Sequence, residues 1–388
     1  MSSMSKRDFL AAAAGFGAAG FGMAAFAGSA PGRDAEPPRG DSVFNVRDFG
    51  AKGDGKTSDS KAVQAALDAA GKVSGTVWFP SGIYLCHALK VPEHVTLKAD
   101  STWHFRKALK GAVLKLDDPD ASCMLDITGA YGVHVNGLLL EGIPSAANKV
   151  HGIFLNNRKF SPKENSFYIE NTKVQNFSGH GAYLKRAWHF FIRHSQFYQN
   201  GGCGVMLHGW DGFVLDNQFS YNGIHGFGCE EVGAAIMFTG NRVEWNKGHG
   251  LSLCEWSTWN VTGTSFDRNH GAGIYATRLN SSTFTGNTFN RNGRDPSTVP
   301  GGDAESCHIQ LVKCRGITAT ANVGIAGRDD APGGELTPKY AIVTKKLSCS
   351  VVKDNAFVMG YTDQLLHDLG EHGPDFIFKD NVGSVLKK

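Results

Sequence analysis

The sequence lacks several features that would point to common partners and metals. Charged residues make up only 19% of the chain, the net charge is +3, and no basic run with interleaved aromatic residues occurs. Nucleic acid is therefore not an expected partner. The eight cysteines form no CxxC pair and no Cys/His finger spacing, which argues against zinc. We expect free core thiols, with disulfide formation left open.

Hydrophobic runs long enough to span a bilayer are also missing beyond the amino terminus. Residues 1–30 combine Lys6-Arg7, an apolar stretch of Ala, Gly and Phe, and small residues near Ala27 or Ala30, which is typical of an export signal. Residues 5–10 look like a variant twin-arginine signal with lysine in place of the first arginine. We predict a signal peptide at 1–30, a linker at 31–43, and a bacterial protein exported to the periplasm or beyond, without membrane contact after processing. An uncleaved membrane anchor is the alternative.

A repeat of about two dozen residues fills most of the remaining chain. Its asparagines are separated by 24, 22, 24, 23 and 23 positions: Asn176, Asn200, Asn222, Asn246, Asn269 and Asn292. An aromatic or branched residue precedes five of them by three places: Phe197, Phe219, Val243, Phe266 and Phe289. A period this short, without a helical stripe, is typical of a coiled β-solenoid.

A different pattern precedes the repeat. After Phe44 to Gly55, a helix is predicted from about Ser58 to Ala70, with Val63, Ala66 and Leu67 on one apolar face and Gly71 as a stop. Residues 75–84 read as strand, tight turn and strand. A helix at this place would cover the open edge and apolar interior of the first coil.

This block resembles the amino-terminal region of the pectate lyase superfamily. The matching pieces are Val46-Arg47-Asp48-Phe49-Gly50-Ala51-Lys52-Gly53-Asp54-Gly55, the helix, and Val77-Trp78-Phe79-Pro80-Ser81-Gly82-Ile83-Tyr84. The resemblance implies an all-β fold, a single-stranded right-handed parallel β-helix over 44–388 with an amino-terminal capping helix, and action on a polysaccharide. The superfamily includes lyases, hydrolases, epimerases and phage tailspikes, so it leaves the reaction open.

Three longer segments interrupt the repeat, at 156–165, 293–305 and 326–339. They lie on both sides of the strand that follows each glycine turn. Such loops would convert a flat sheet into a groove, and long loops on a repeat scaffold usually carry function.

Alignment of the coils on their glycine turns predicts which side chains stack. Period-two alternation directs one set inward: Ile153, Leu155, Leu184, Val205, Leu207, Leu251, Leu253 and Ile274. The outward set between them is Phe154, Tyr183, Met206, Gly228, Ser252 and Tyr275. The following turn carries Asn157, Arg186, Gly209, Glu231, Glu255, Arg278 and Lys313. Since coils lie about 4.8 Å apart, the members of each column are neighbours.

This alignment places a charged and aromatic cluster on one wall. The predicted catalytic candidates are His249, His225, Tyr275, Glu255, Glu231 and Arg278. The predicted substrate-binding candidates are Tyr183, Lys185, Arg186, His208, Glu230 and Lys313. The alternative interpretation is a solvated face with salt bridges at its rim.

The histidine column provides a second signal, since His151, His180, His225 and His249 sit between turn glycines. The segment 248–252 resembles the Gly-His-Gly piece of polygalacturonase-type hydrolases, whose histidine lines the catalytic groove. The aspartates and the Arg-Ile-Lys piece of that family are missing, which disfavours an ordinary polygalacturonase. The structural alternative is that each histidine hydrogen-bonds the next coil, and strict alternation would point the column inward.

The residue set favours β-elimination on a uronic-acid-containing glycan. His and Tyr can transfer protons, while Lys185, Arg186, Arg278 and Lys313 can bind the sugar carboxylate. A neighbouring cation is expected to lower the pKa of a tyrosine such as Tyr183 or Tyr275, which would make it a suitable base. Epimerisation uses the same residue types and is not separable from the sequence.

Two other functions stay open. A glycoside hydrolase would use paired glutamates such as Glu231 and Glu255 on adjacent coils. A non-catalytic glycan-binding or tailspike-like solenoid would use exposed Tyr, Trp and His only to bind. No cofactor is predicted, although a divalent metal such as calcium held by Glu230, Glu231 or Glu255 stays open, as does a homotrimer.

Overall fold

The computed structural model describes residues 42–104, 109–159, 162–229, 231, 233–255, 257–330 and 334–387. Within these ranges the chain winds as the predicted right-handed parallel β-helix, and a typical coil adds one strand to each of three faces. The predicted export signal and the first eleven residues of the predicted linker lie outside the described residues.

Face 1 carries the strands that follow the glycine turns. They are Leu89–Lys90, Cys123–Asp126, His151–Asn156, the first part of Ala182–Arg193 and of Val205–Leu215, Phe227–Cys229, Leu251–Cys254, Ile274–Thr277, Cys307–Val312, Tyr340–Lys345 and Gln364–Asp368. Face 2 comes next along each coil. Its strands are Val43–Asn45, Thr76–Trp78, Thr96–Lys98, His134–Asn136, Phe167–Glu170, the second part of Ala182–Arg193 and of Val205–Leu215, Ala234–Thr239, Trp259–Thr262, Asn280–Thr285, Arg315–Thr320, Ser350–Lys353 and Phe376–Lys379.

Face 3 completes each coil as a separate parallel sheet of 13 strands. They are Asp54–Ser58, Gly82–Cys86, Ala112–Leu116, Leu139–Glu141, Lys173–Gln175, Gln196–Tyr198, Gln218–Ser220, Arg242–Glu244, Ser265–Asp267, Thr288–Asn290, Val323–Ile325, Ala356–Tyr361 and Val382–Val385. A small antiparallel pair, Gly327–Arg328 with Leu336–Thr337, lies in the loop 326–339. Short 3-10 helices occupy Val46–Phe49 and Pro296–Thr298.

The predicted capping helix is present and spans Ser60–Gly71, two residues later than expected at its start. The carboxylate of Asp59 accepts hydrogen bonds from the backbone N–H groups of Lys52 and Gly53, at 2.6 and 3.0 Å. That carboxylate therefore orders the preceding loop and makes no capping bond to the helix. Among the residues that the structure describes, no helix is both long and hydrophobic enough to cross a bilayer.

The interior is built from the inward positions that the alternation predicts. All eight predicted inward side chains are fully buried: Ile153, Leu155, Leu184, Val205, Leu207, Leu251, Leu253 and Ile274. Phenylalanines stack along face 3, with ring centroids 5.3 Å apart for Phe197 and Phe219 and 5.2 Å apart for Phe266 and Phe289. Each such burial contributes about 1.5–3 kcal/mol.

The asparagine repeat is a ladder of amides at the corner between faces 3 and 1. The Nδ2 of Asn246 donates to Oδ1 of Asn269 at 2.9 Å, and Asn200, Asn222 and Asn292 continue the series. Asn176 was expected in this column but stands one residue before it. Phe177 occupies the place, and its backbone N–H donates to Asn200.

A second ladder, which the sequence analysis missed, lines the corner between faces 2 and 3. Its members are Ser195, Asn217, Asn241, Thr264, Asn287, Asn322, Asn355 and Asn381. The mixture of Ser, Thr and Asn obscured its period. The two ladders hold both flanks of face 3, so the position of each coil is fixed by buried hydrogen bonds.

Candidate functional site

The outward column on face 1 carries the side chains that the sequence predicts as the floor of a groove. Strand register pairs its members in the predicted order: Phe154, Tyr183, Met206, Gly228, Ser252, Tyr275 and then Gln310. At the amino-terminal end, the Tyr183 ring stacks on Phe154 at 5.6 Å and on His151 at 5.3 Å. Gly228 and Ser252 leave the centre of the floor without large side chains.

The corner between faces 1 and 2 forms one wall of this groove. Its turn residues have left-handed φ values between 52° and 60°: Arg186, Glu231, Glu255, Arg278, Lys313 and Lys346. Gly209 was expected beside Arg186, but the register pairs Gly209 with Ala187. The coil of Gly209 is therefore one residue shorter here, which leaves a gap in the column between Arg186 and Glu231.

Lys185, His208 and Glu231 meet across this gap. Lys185 Nζ lies 2.9 Å from Glu231 Oε1, and His208 Nδ1 lies 3.0 Å from Glu231 Oε2. The His208 side chain is 7% exposed, and that of Glu231 is 51% exposed. Burial lowers the pKa of His208 although Glu231 opposes the shift, whereas the hydrogen bond from Lys185 lowers the pKa of Glu231. The cluster thus combines a neutral imidazole, a carboxylate and an ammonium group.

The remaining predicted residues of this wall lie further along it. Arg278 Nε donates to Glu255 Oε1 at 2.7 Å, so these two candidates form an ion pair. Arg186 Nη1 donates to the carbonyl of Asn157 at 2.8 Å. Lys313 is exposed beyond Arg278 in the same column, while Glu230 lies outside the described residues.

The histidine column forms the opposite wall and binds the coils to one another. His249 Nδ1 accepts the backbone N–H of Ala272 at 3.0 Å, and His225 Nδ1 accepts that of His249 at 3.0 Å. The turn directs the rings outward, and the His249 ring stacks on Tyr275 with centroids 4.4 Å apart. Burial holds the pKa of His249 well below its usual range. The geometry favours a structural role, and the catalytic roles of His225 and His249 stay predictions.

Close packing explains the glycines around each of these histidines. A Cβ at position 248 would lie 2.5 Å from His225 Nδ1, and one at 250 would lie 2.6 Å from the carbonyl of Gly273. The Gly-His-Gly pattern is thus accounted for by coil stacking alone. Its resemblance to a hydrolase motif stays a prediction.

The hydroxyl group of Tyr275 has an environment that the sequence did not predict. Its hydroxyl donates to Asp303 Oδ2 at 3.1 Å. Burial and the Asp303 carboxylate raise the pKa of Tyr275 to about 12, although Arg278 acts in the opposite direction. The predicted lowering of its pKa is therefore wrong, because desolvation and a nearby anion outweigh the cation.

Asp303 and Gln310 were missed by the sequence analysis. Asp303 belongs to the aperiodic loop 293–305, and Gln310 follows it on the next strand of face 1. Gln310 donates a hydrogen bond to the carbonyl of Asp303, and the repeat could not predict this contact because the loop has no period. The loops 293–305 and 326–339 also enclose a cavity of about 580 Å³, with His270, Arg294 and Asp329 in its lining. None of the predicted site residues lines that cavity.

The thiols and carboxylates of the site bear on metal binding and on disulfide formation. All eight cysteines are free; six are buried, whereas Cys254 is half-buried and Cys349 is exposed. The Cys254 Sγ lies 2.8 Å from the carbonyl of Cys229. In the part of the chain that the structure describes, no three His, Cys, Asp or Glu side chains converge as metal ligands. The calcium hypothesis also involved Glu230 and stays a prediction.

Sequence comparisons identify related proteins. The mannuronan C5-epimerase AlgE2 of Azotobacter vinelandii is 32% identical over 226 residues, which is 54% of this chain and 22% of that protein. Alginate lyase 7 of the same organism is 32% identical over 201 residues, which is 47% of this chain and 23% of that protein. The chain thus spans less than a quarter of the length of either relative.

Structural comparison supports the same fold. The A-module of mannuronan C-5 epimerase AlgE4 from Azotobacter vinelandii superposes with a TM-score of 0.61 at 19% identity, covering 88% of this chain and 99% of that module. The model of the rhamnogalacturonase A/epimerase, pectate lyase-like family matches residues 43–113. The model of the right handed beta helix region matches residues 132–326, half of the chain, and the protein belongs to that family, within the pectate lyase-like superfamily.

Proposed function

We propose that this protein is a carbohydrate-active enzyme that binds a uronic-acid-containing glycan along the face 1 groove and cleaves it by β-elimination. The cluster of Lys185, His208 and Glu231 carries the proposal, because it offers a proton acceptor and a cation within one contact network. The relatives named mannuronan C5-epimerase and alginate lyase support a uronate polymer as the substrate class.

β-Elimination requires a base, an acid and a cation. The base removes the C5 proton, the C4–O bond breaks, a C4–C5 double bond forms, and the departing oxygen takes up a proton. With its proton on Nδ1, which lies 3.0 Å from Glu231 Oε2, neutral His208 has its lone pair on Nε2, and Nε2 is the proton acceptor in this proposal. Lys185 and Arg186 would stabilise the charge that develops on the sugar carboxylate.

The contacts of the two glutamates argue against hydrolysis. A glycosidase needs one carboxylic acid that is protonated at working pH. Lys185 lowers the pKa of Glu231, and Glu255 is paired with Arg278. Glu231 is therefore suited to holding a cation in place rather than to donating a proton, and Glu255 is engaged by Arg278.

Product analysis tests the proposal. The purified protein is incubated with polymannuronate, polyguluronate, polygalacturonate and a neutral glucan. Ultraviolet absorbance from an unsaturated uronate on at least one acidic polymer is expected. New reducing ends without that absorbance would instead indicate hydrolysis, and C5 inversion in an uncut polymer would indicate epimerisation.

Paired histidine variants connect the reaction to the cluster. His208→Gln should abolish the absorbance, whereas His194→Gln should retain it, because His194 is 55% exposed and pairs with Asp216 away from the groove. Equal activity of both variants would remove His208 from the mechanism. Loss of activity in both would point to a general loss of folding, which circular dichroism would reveal.

A further inference from the structure

The outward column of face 1 varies in exposure along the helix axis. Tyr183, Ser252 and Tyr275 are partly exposed, whereas Met206 is 9% exposed and Gly228 is buried. Beyond Tyr275, Gln310 is 2% exposed and Val343 is fully buried, although both occupy the same outward position. On the following coil His367 is partly exposed again. Neighbouring parts of the chain therefore cover the coils of Gln310 and Val343.

The loop 293–305 provides that cover at Gln310. The Nε2 of Gln310 donates to the carbonyl of Asp303 at 2.7 Å, and its Oε1 accepts the backbone N–H of Glu305 at 3.0 Å. Tyr275 adds the hydrogen bond to the Asp303 side chain. One coil later, Val343 packs into a small apolar cluster with Tyr275 and Tyr340.

The amino-terminal end and the middle of the loop are also held. The Ser306 hydroxyl donates to the carbonyl of Gly293 at 2.7 Å, and Val299 is only 4% exposed. Arg294 pairs with Asp329 of the neighbouring loop 326–339. These contacts fix the loop beside Tyr275 and Gln310, because it is held at both ends and Val299 near its middle is buried.

We infer that the groove is closed at Tyr275, so that the protein cleaves its glycan from one chain end and not internally. The inference rests on the proposed function, since it concerns the same groove. Successive coils are about 4.8 Å apart. By covering the coil of Gln310, the loop blocks a stretch of face 1 on which a continuous polymer would have to lie. A chain that enters past Tyr183 therefore ends against the Tyr275–Asp303 contact.

Cleavage mode is the first test. Solution viscosity and unsaturated products are followed together during digestion of a long uronan. End-directed cleavage releases small products while viscosity falls slowly, which is the expected result. A rapid loss of viscosity before small products accumulate would overturn the closed groove and leave β-elimination standing.

A glutamine pair tests the role of the loop. Gln310→Ala removes both contacts to the loop, so faster hydrogen exchange over 299–305 and additional internal cuts are expected. Gln196→Ala is the control, because Gln196 lies on face 3 and bonds Gln218 at 3.0 Å. A Gln310 variant with faster exchange but unchanged end-directed cleavage would show that the loop is not the barrier.

A binding experiment separates this inference from the reaction. Oligouronates carry a bulky fluorophore at the reducing end, at the non-reducing end or at both ends. Only one of the singly labelled probes should bind, and the doubly labelled probe should not. End-dependent binding without cleavage would support the closed groove while refuting the proposed reaction. Equal binding of all three probes would overturn the closed groove. No binding by any of them would refute the uronate ligand and, with it, the inference that rests on it.

Discussion

The backbone N–H of Ala272 donates to Nδ1 of His249 at 3.0 Å, across the boundary between two coils. His225 makes the equivalent contact to His249 one coil earlier. A histidine in this column therefore replaces, at the corner, part of the backbone ladder that joins strands elsewhere. Its Nδ1 is engaged in the fold and is not an atom that can accept a substrate proton.

Replacement of His249 should mainly cost stability. In His249→Ala the N–H of Ala272 loses its partner in a buried place, which should lower the free energy of unfolding by about 1–3 kcal/mol. Chemical denaturation measures this. Lys247→Ala, at an exposed neighbour, should change it little. A His249 variant with unchanged stability and no activity would favour the catalytic role predicted from the sequence.

The asparagine ladder allows a matched comparison of two residues that share the sequence period. Asn246 is fully buried, and its Nδ2 donates to the carbonyl of Phe219 at 3.0 Å and to Asn269. Asn246→Ala should therefore lower the free energy of unfolding by more than about 2 kcal/mol. Asn176→Ala should cost clearly less, since Asn176 is outside the ladder. Similar losses for both would contradict the assigned register.

Asn176 also shows where a sequence can mislead. The core columns followed from alternation alone, because a one-residue error would turn every side chain to the wrong face. Asn176 fits the period within one residue, and only the backbone contact of Phe177 reveals the true column. The asparagine period predicted the architecture, but it could not show that Asn176 stands one residue outside the ladder.

The candidate site was less predictable for two physical reasons. Lys185 and Glu231 touch although they are two coils apart, because the coil between them is shorter at Gly209. Asp303 reaches Tyr275 from a loop that has no period. Alignment of the repeats predicts neighbours only on adjacent coils of equal length. It therefore identified His208 and Glu231 as candidates, but it could not predict that Lys185 contacts Glu231 or that Asp303 contacts Tyr275.

The pH dependence should reflect a histidine with a lowered pKa. A neutral His208 is the active form in the proposed reaction, so kcat/KM should be constant above its pKa and fall as pH drops through it. Because burial lowers this pKa, the fall should occur below the ordinary histidine value of about 6.5. Glu231→Gln removes the opposing effect of Glu231 and should move the fall to still lower pH. A fall above about 6.5, or a shift upward in that variant, would exclude His208 as the base.

Lys185 should contribute to binding of an acidic glycan. Lys185→Met is expected to raise KM on a uronan about tenfold or more, since a charged hydrogen bond to the sugar is lost. The effect should shrink as salt is added, because salt screens the wild-type interaction. Lys61→Met, on the exposed side of the capping helix, is the control and should leave KM unchanged. An unchanged KM in the Lys185 variant would argue against a cationic subsite there.

The central claim is removal of the C5 proton of a uronate at the cluster of Lys185, His208 and Glu231. It is tested most directly by comparing kcat/KM on a uronan with ordinary hydrogen and on the same polymer with deuterium at C5. The proposed reaction predicts slower turnover of the deuterated polymer, because the C5–H bond breaks in the chemical step. Cleavage at equal rates on both polymers, with no unsaturated uronate among the products, would contradict it.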